Sequence, residues 1–279
     1  MSESLRVIGN SQEQWARALG RDKRWTAYVA ELGDNLFRKG LSSETQADFA
    51  DGDGSELRNS PRRPAKMRAL VSSSALAVNF FDAWRVVDKT ALQRALDLQT
   101  GIAGFQFEFK TRDYPVRPYS PNLDILVRLL DGRAVGIESK FTEPYSSDDG
   151  HGVISAKYFA EATGLWRTAR LPAAQQLADR LEPEWIHLDV PQLLKHLLGL
   201  ACDPERPGTL LYLWYDTGRA DASVHRQEIE RFAAAVANEP VAFRHITYQS
   251  LFAALAARDE PLSGWHEYMC TRYFNPRAG

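Results

Sequence analysis

Several features of other protein classes are scarce in this 279-residue sequence. It has only two cysteines, Cys202 and Cys270, which lie far apart and fit no metal-binding spacing. No apolar run is long enough to span a bilayer, which excludes a helical membrane protein. The first ten residues are mostly polar, so no signal peptide is predicted. A reduced cytoplasm is therefore the expected location, with no membrane as partner.

An excess of charge of one sign is also missing. The net charge is −2 and the pI about 6.3, which excludes a generic polyanion binder, so any DNA-binding surface must be local. One candidate is the segment 58–68, which holds five cations and no acid. It is interpreted either as that local surface or as a solvated linker. A glycine-rich phosphate loop and a Gly-x-Ser-x-Gly elbow are both absent.

Two apolar strands, 122–127 and 135–141, are joined by a turn that contains Asp131-Gly132, a strong hairpin signal. A two-residue loop would place Asp124 opposite Ser139. A three-residue loop with Gly132 in a left-handed bulge would place Asp124 opposite Glu138. Only the second register brings the apolar residues of both strands onto one face, so we predict the three-residue loop.

In that register Asp124, Glu138 and Lys140 project from the same face. Directly opposed side chains have Cβ atoms roughly 5 Å apart, and like charges there repel unless a cation lies between them. Lys140 supplies one positive charge, and a divalent metal could supply the rest. Lysine is the rarer cation of this chain, with 8 lysines against 26 arginines, and its ammonium pKa shifts more readily. The alternative is a surface hairpin with an ordinary cross-strand charge pair.

The residues Pro121-Asn122-Leu123-Asp124 followed by Glu138-Ser139-Lys140 resemble the PD-(D/E)XK nuclease superfamily. The stretches 72–81 and 137–144 are similar to a bacterial branch of restriction-endonuclease-like proteins, and the resemblance covers roughly residues 70 to 216. The chain departs from the pattern in one respect, since two residues separate Pro121 from Asp124. The aspartate is the functional member, so the implied chemistry is intact.

The resemblance implies an α/β fold, with a restriction-endonuclease-like αβα core, a mixed central sheet and, in this chain, additional N-terminal helices. It implies Mg²⁺-dependent hydrolysis of DNA phosphodiester bonds, with Mn²⁺ as an alternative ion, in restriction, defence or repair. Asp124 and Glu138 would bind the metal, and Lys140 would orient the attacking water or stabilise developing charge. A homodimer would supply the two sites that cutting both strands needs. The competing hypothesis is a non-catalytic nucleic-acid-binding or scaffold protein that retains the fold.

Two further residues are candidates for this site. Glu108 lies on the strand 105–110, on the face opposite its phenylalanines, and is either a third carboxylate or a solvent-facing acid. Gln192 and His196 lie one turn apart on a helix capped by Asp189, and related nucleases often place a glutamine there; the alternative is an ordinary amphipathic helix. Asp148, Asp149 and His151 invite a metal-site interpretation, but exposed loop residues are favoured.

The remaining pattern predicts a helical N-terminal region with a mobile loop (1–64) and a nuclease-like domain (65–279). Within the first, residues 12–38 are predicted to be helical and residues 42–56 to form the loop. In the second, the continuous apolar run 209–215 predicts a central strand buried on both faces. Further helices are predicted at 67–84, 89–98, 156–181 and 222–237, with a strand at 241–247 and helices up to Tyr273.

Overall fold

The computed structural model describes residues 1–22, 24–52, 55–111, 114–116, 120–146, 154–159, 164–180, 185–202, 208–255 and 259–274. Its centre is one five-stranded sheet in which neighbouring strands follow sequence order. The strands are β1 (Ile102–Lys110), β2 (Asn122–Leu129), β3 (Ala134–Lys140), β4 (Thr209–Trp214) and β5 (Ala242–Thr247). The first three strands are antiparallel, whereas β3, β4 and β5 run parallel. The sheet is therefore mixed, as the sequence predicted.

Helices surround this sheet and precede it. Within the described ranges they are α1 (Glu3–Trp15), α2 (Ser43–Asp51), α3 (Ser73–Phe81), α4 (Thr90–Ala95), α5 (Leu165–Thr168), α6 (Pro172–Asp179), α7 (Val190–Leu200), α8 (Ala220–Ala235), α9 (Tyr248–Ala254) and α10 (Trp265–Arg272). Among the described residues, no helix is long and apolar enough to cross a bilayer.

Contacts of two neighbouring residues of β3 show that helices cover both faces of the sheet. Successive side chains of a strand point to opposite faces. Ser139 forms a 2.7 Å hydrogen bond between its hydroxyl and that of Tyr248 on α9. Glu138 instead lies against His196 on α7, with 2.9 Å between Oε2 and Nε2. The predicted αβα layering is therefore confirmed.

The buried strand β4 and the helix before it form where the sequence predicted them. From Leu210 to Trp214 every side chain is at most 3% exposed, as expected for a strand covered on both faces. The carboxylate of Asp189 accepts the backbone N–H of Gln192 and caps α7, whose first turn contains Pro191. This cap fixes the start of α7 and hence the direction in which Gln192 and His196 point.

The predicted continuous helix over residues 12–38 is wrong. Helix α1 starts earlier, at Glu3, and ends at Trp15, and the later residues form short 3₁₀ turns and isolated bridges. Long-range hydrogen bonds hold this later segment in place. The buried amide of Asn35 donates to the carbonyl oxygens of Met67 and Ala69, at 2.7 and 2.9 Å. Contacts distant in sequence thus override a local spacing that suited a helix.

The polar stretch predicted as a loop over residues 42–56 contains a helix, so that prediction is also wrong for residues 43–51. Ser42 caps α2 by accepting the N–H of Thr45 at 3.2 Å. Phe49 is buried and its ring stacks on that of Phe107 in β1. One buried aromatic residue and a serine cap therefore order a segment whose composition is otherwise that of a loop.

Helix α2 also covers the outer edge of β1. The carboxylate of Asp48 accepts the backbone N–H of Phe107 at 3.0 Å, and Arg85 donates to the carbonyl of Phe105 at 2.9 Å. Arg85 and Asp48 also pair with each other. Side chains thus satisfy backbone groups on the side of β1 that faces away from β2.

The N-terminal region packs against the C-terminal half of the chain. Ser4 donates its backbone N–H to Asp221 of α8 at 3.0 Å, and Gln12 donates to the carbonyl of Arg272 in α10 at 2.9 Å. Ile8 belongs to the same hydrophobic core as the sheet. The division into residues 1–64 and 65–279 stays a prediction.

Candidate active site

The hairpin of β2 and β3 has the register that the apolar pattern predicted. Ile125 pairs with Ile137 and Val127 with Val135, and Gly132 has a φ of 84°. This pairing places Asp124 opposite Glu138, on the face that points away from the buried Ile125 and Ile137. The three-residue loop is therefore confirmed.

The two strands separate just beyond this pairing. The ladder between β2 and β3 ends at Ile125 and Ile137. The next contact is made by a side chain, since the backbone N–H of Ser139 donates to Oδ2 of Asp124 at 2.6 Å. Asp124 is therefore held by the strand that carries Glu138 and Lys140, at the end of the hairpin remote from its turn.

Lys140 connects β3 to helix α7. Its Nζ lies 2.6 Å from Oε1 of Glu138 and donates a 2.9 Å hydrogen bond to Oε1 of Gln192. The side chain is 14% exposed, against 1% for Glu138, so the ammonium lies at the boundary between the core and solvent. The structure thus brings together three residues selected from sequence, Glu138, Lys140 and Gln192.

His196 approaches the second oxygen of the same carboxylate. Its Nε2 lies 2.9 Å from Oε2 of Glu138, and both side chains are only 1% exposed. The two atoms are at hydrogen-bond distance, although neither has a fully aligned partner among the described residues. Oε2 of Glu138 is therefore a buried carboxylate oxygen with spare acceptor capacity.

The opposed carboxylates have pKa values shifted in opposite directions. Burial, and then the charge of Glu138, raises the pKa of Asp124 well above its usual range. Burial would also raise the pKa of Glu138, but Lys140 and then His196 outweigh it and lower that pKa to about 2. Burial disfavours the charged form of Lys140, yet Glu138 and Asp124 raise its pKa above the ordinary value. The neighbouring acids therefore favour the charged form of Lys140, and repulsion from Glu138 disfavours the charged form of Asp124.

Glu108 lies in the same electrostatic neighbourhood. Burial raises its pKa, a 3.0 Å hydrogen bond from Asn122 lowers it, and the charges of Glu56 and Glu138 raise it. Its backbone adopts a φ of 49°, which is uncommon outside glycine. The C-terminal end of α2 packs closely against it, since a Cβ on Gly52 would lie 2.8 Å from the Cβ of Glu108. Glu108 is thus a half-buried acid beside the hairpin rather than a freely solvated one.

A preformed metal cage is not present in the described ranges, where no three His, Cys, Asp or Glu side chains are grouped so that they could hold an ion. Asp148, Asp149 and His151 lie outside the described residues. The oxygens that the structure does bring together belong to Asp124 and Glu138.

The comparison with known families decides the class of this protein. A family profile described as restriction endonuclease associating with ARP matches residues 10–274. The chain belongs to this family. No curated protein and no solved structure matches the chain. The predicted restriction-endonuclease-like family is thereby confirmed, and so is the fold class, a mixed five-stranded sheet with flanking helices and additional N-terminal helices.

In this restriction endonuclease family member, the sequence pattern does not predict two contacts of the site. Helical spacing places His196 on the same face as Gln192, but its approach to Glu138 requires α7 to pack over β3. Asn122 separates Pro121 from Asp124 in the motif, and the structure shows that its amide donates to Glu108. Its position two residues before Asp124 puts both on one face of β2, and this periodicity was the only available signal.

Proposed function

We propose that this restriction endonuclease family member is a Mg²⁺-dependent nuclease that hydrolyses DNA phosphodiester bonds. The reaction would take place at the end of the β2–β3 hairpin where the two strands separate. The observation that carries the proposal is the convergence of Asp124, Glu138 and Lys140 at that end. The family description supports nuclease activity, and the geometry supplies the residues.

The oxygens at this point fit a hard divalent cation. Mg²⁺ is usually held by one or two carboxylates together with substrate phosphate, and Mn²⁺ accepts the same ligands. Asp124 and Glu138 would hold it, because Oε2 of Glu138 has no aligned hydrogen bond and the pKa of Asp124 is raised by burial and an opposing negative charge. When bound, the ion would polarise the phosphate and make a water molecule more acidic.

The side chains around the carboxylates have separate roles in this proposal. Lys140 would stabilise negative charge that develops on the phosphate or orient the attacking water, because its Nζ lies beside Glu138 at the boundary between the core and solvent. Gln192 fixes the position of Nζ through its 2.9 Å hydrogen bond. His196 holds Glu138 from the side of α7. Glu108 adds negative charge beside Asp124.

Cleavage of plasmid and linear duplex DNA in MgCl₂, with EDTA as the control, tests the proposal. The wild-type protein is expected to cut, and Asp124→Asn is expected to be inactive. Glu230→Gln is the matched control, because Glu230 is an exposed acid on α8. The non-catalytic alternative predicts that the wild-type protein binds DNA without cutting it in either Mg²⁺ or Mn²⁺. That outcome would remove the nuclease assignment.

A further inference from the structure

A compact loop with three exposed arginines stands beside the candidate active site. Residues 56–67 leave and rejoin the core through a 3.0 Å hydrogen bond from the N–H of Met67 to the carbonyl of Glu56. At the tip, Ser60 and Arg63 exchange two backbone hydrogen bonds of 2.9 and 3.3 Å. The hydroxyl of Ser60 also accepts the N–H groups of Arg62 and Arg63. The tip is therefore a hydrogen-bonded turn of defined shape.

The five cations of the segment 58–68 fall into two groups. Lys66 pairs with Glu56 at 2.9 Å, and Arg68 pairs with Asp22 at 2.8 Å, so both are neutralised within the fold. Arg58, Arg62 and Arg63 are exposed, and among the described residues no carboxylate lies within ion-pair distance of them. The sequence could not separate these groups, since all five cations look alike in it.

The base of the loop is attached to the acidic face of the site. The carboxylate of Glu56 binds both Lys66 and the hydroxyl of Ser74, at 2.9 and 2.8 Å. Gly52, four residues before Glu56, packs against Glu108, since a Cβ on Gly52 would lie 2.8 Å from the Cβ of Glu108. The loop that carries the exposed arginines is therefore anchored near Glu108. Glu108 lies on β1, the neighbour of the strand that carries Asp124.

We propose that Arg58, Arg62 and Arg63 bind the phosphate backbone of duplex DNA next to the cleaved bond, an inference that rests on the proposed nuclease function. The face formed by Glu108, Asp124 and Glu138 repels a polyanion, and the whole chain carries a net charge of −2. A local cluster of positive charge is needed to hold DNA against that face. Guanidinium groups bind phosphate oxygens bidentately and without reading sequence, so the contact is to the backbone.

The test measures how salt weakens DNA binding. A fluorescein-labelled duplex is titrated with the full chain in EDTA, between about 50 and 200 mM KCl. Each phosphate contact adds about 0.9 to the slope of log K against log salt, so the Arg58→Gln, Arg62→Gln, Arg63→Gln triple variant should lower the slope by about three. The control triple variant is Arg6→Gln, Arg17→Gln, Arg180→Gln, which removes the same charge from exposed positions elsewhere. The control should retain the wild-type slope.

A wild-type slope in the Arg58, Arg62 and Arg63 variant would overturn the inference, and so would an equal loss in the control. An RNA duplex is titrated in parallel, and reduced binding of RNA with unchanged binding of DNA in the arginine variant would also overturn it. Circular dichroism and the melting temperature establish that each variant is folded. Cleavage by the wild-type protein in Mg²⁺ is measured separately. A wild-type protein that binds DNA but never cuts it contradicts the proposed function alone, whereas a cutting protein with an unchanged slope in the arginine variant contradicts the inference alone.

Discussion

The carboxylate of Asp124 accepts the backbone N–H of Ser139, at 2.6 Å, where the β2–β3 ladder has ended. A side chain thus takes the place of the next backbone carbonyl. This contact holds the two strands together beyond their last backbone pair. It also means that Asp124 is both a structural link and a candidate metal ligand, and the two roles respond differently to substitution.

The metal-free protein should be stabilised by Asp124→Asn at neutral pH. The pKa of Asp124 in the folded protein lies well above 3.8, so ionising this side chain destabilises the fold. This destabilisation is absent below pH 3.8 and grows as the pH rises toward the folded pKa. The amide can still accept the N–H of Ser139 but carries no charge. We therefore expect a higher melting temperature at pH 7.5 in EDTA and a smaller difference near pH 4. An unchanged or lower melting temperature at pH 7.5 would contradict the assigned repulsion.

Glu138→Gln should have the opposite effect on stability. The folded pKa of Glu138 is about 2, so its charged form stabilises the fold above pH 4.5, and that contribution is lost as pH falls through 2. Removing one partner of a buried ion pair costs roughly 3–5 kcal/mol, because Lys140 loses its nearest counter-ion. Urea unfolding at pH 7.5 measures the loss. Equal free energies of unfolding for Glu138→Gln and the wild-type protein would show that the pair contributes little.

Asp124→Ala and Glu138→Ala should each abolish Mg²⁺ binding and DNA cleavage. Each variant removes a carboxylate from a site where the described residues supply few, and Mg²⁺ tolerates little loss of ligands. Isothermal titration with MgCl₂ and MnCl₂ measures binding independently of activity. The matched control is Glu230→Ala, which alters an exposed acid on α8. Wild-type cleavage by both site variants would place the catalytic centre elsewhere.

Lys140→Ala should lower the single-turnover cleavage rate by roughly 10²–10³, the usual cost of removing one electrostatic donor from the transition state. DNA binding should persist. Lys140→Arg should restore the rate poorly, because a planar guanidinium does not fit the site between Glu138 and Gln192 as an ammonium does. The rate is measured at saturating Mg²⁺. Full activity in the arginine variant would reduce Lys140 to a neutralising charge for Glu138.

Arg272 should contribute strongly to stability although it is remote from the candidate active site. Its guanidinium is fully buried and donates to Gln12 and to both oxygens of Asn35, at 2.7–3.2 Å. A lysine cannot reproduce this fork, and each hydrogen bond to a charged group contributes roughly 1.5–3 kcal/mol. Arg272→Lys should therefore lower the free energy of unfolding by roughly 3 kcal/mol in urea. The exposed Arg6→Lys serves as the control, and equal effects of the two variants would contradict the assigned role.

The sequence predicted what depends on local periodicity and missed what depends on distant partners. The alternation of apolar and polar residues along β2 and β3 was sufficient to predict the hairpin register. A one-residue slip would have put the apolar residues of the two strands, including Ile125 and Ile137, on opposite faces. A proline and a capping aspartate were sufficient to locate the start of α7. The segment after Trp15 and helix α2 were assigned wrongly, because Asn35 and Phe49 obtain their structure from residues far along the chain. The metal, the assembly state and the cytoplasmic location stay predictions.

The cover that Asp48 and Arg85 form over β1 restricts how two copies of this protein could assemble. The N–H of Phe107 and the carbonyl of Phe105 are already engaged, so a strand from a second molecule cannot pair with β1 at these two residues. If the proposed nuclease acts as a homodimer, we expect its two copies to join through helices, loops or the β5 side of the sheet. The spacing of its two cuts would follow from that interface and not from a continuous sheet through β1.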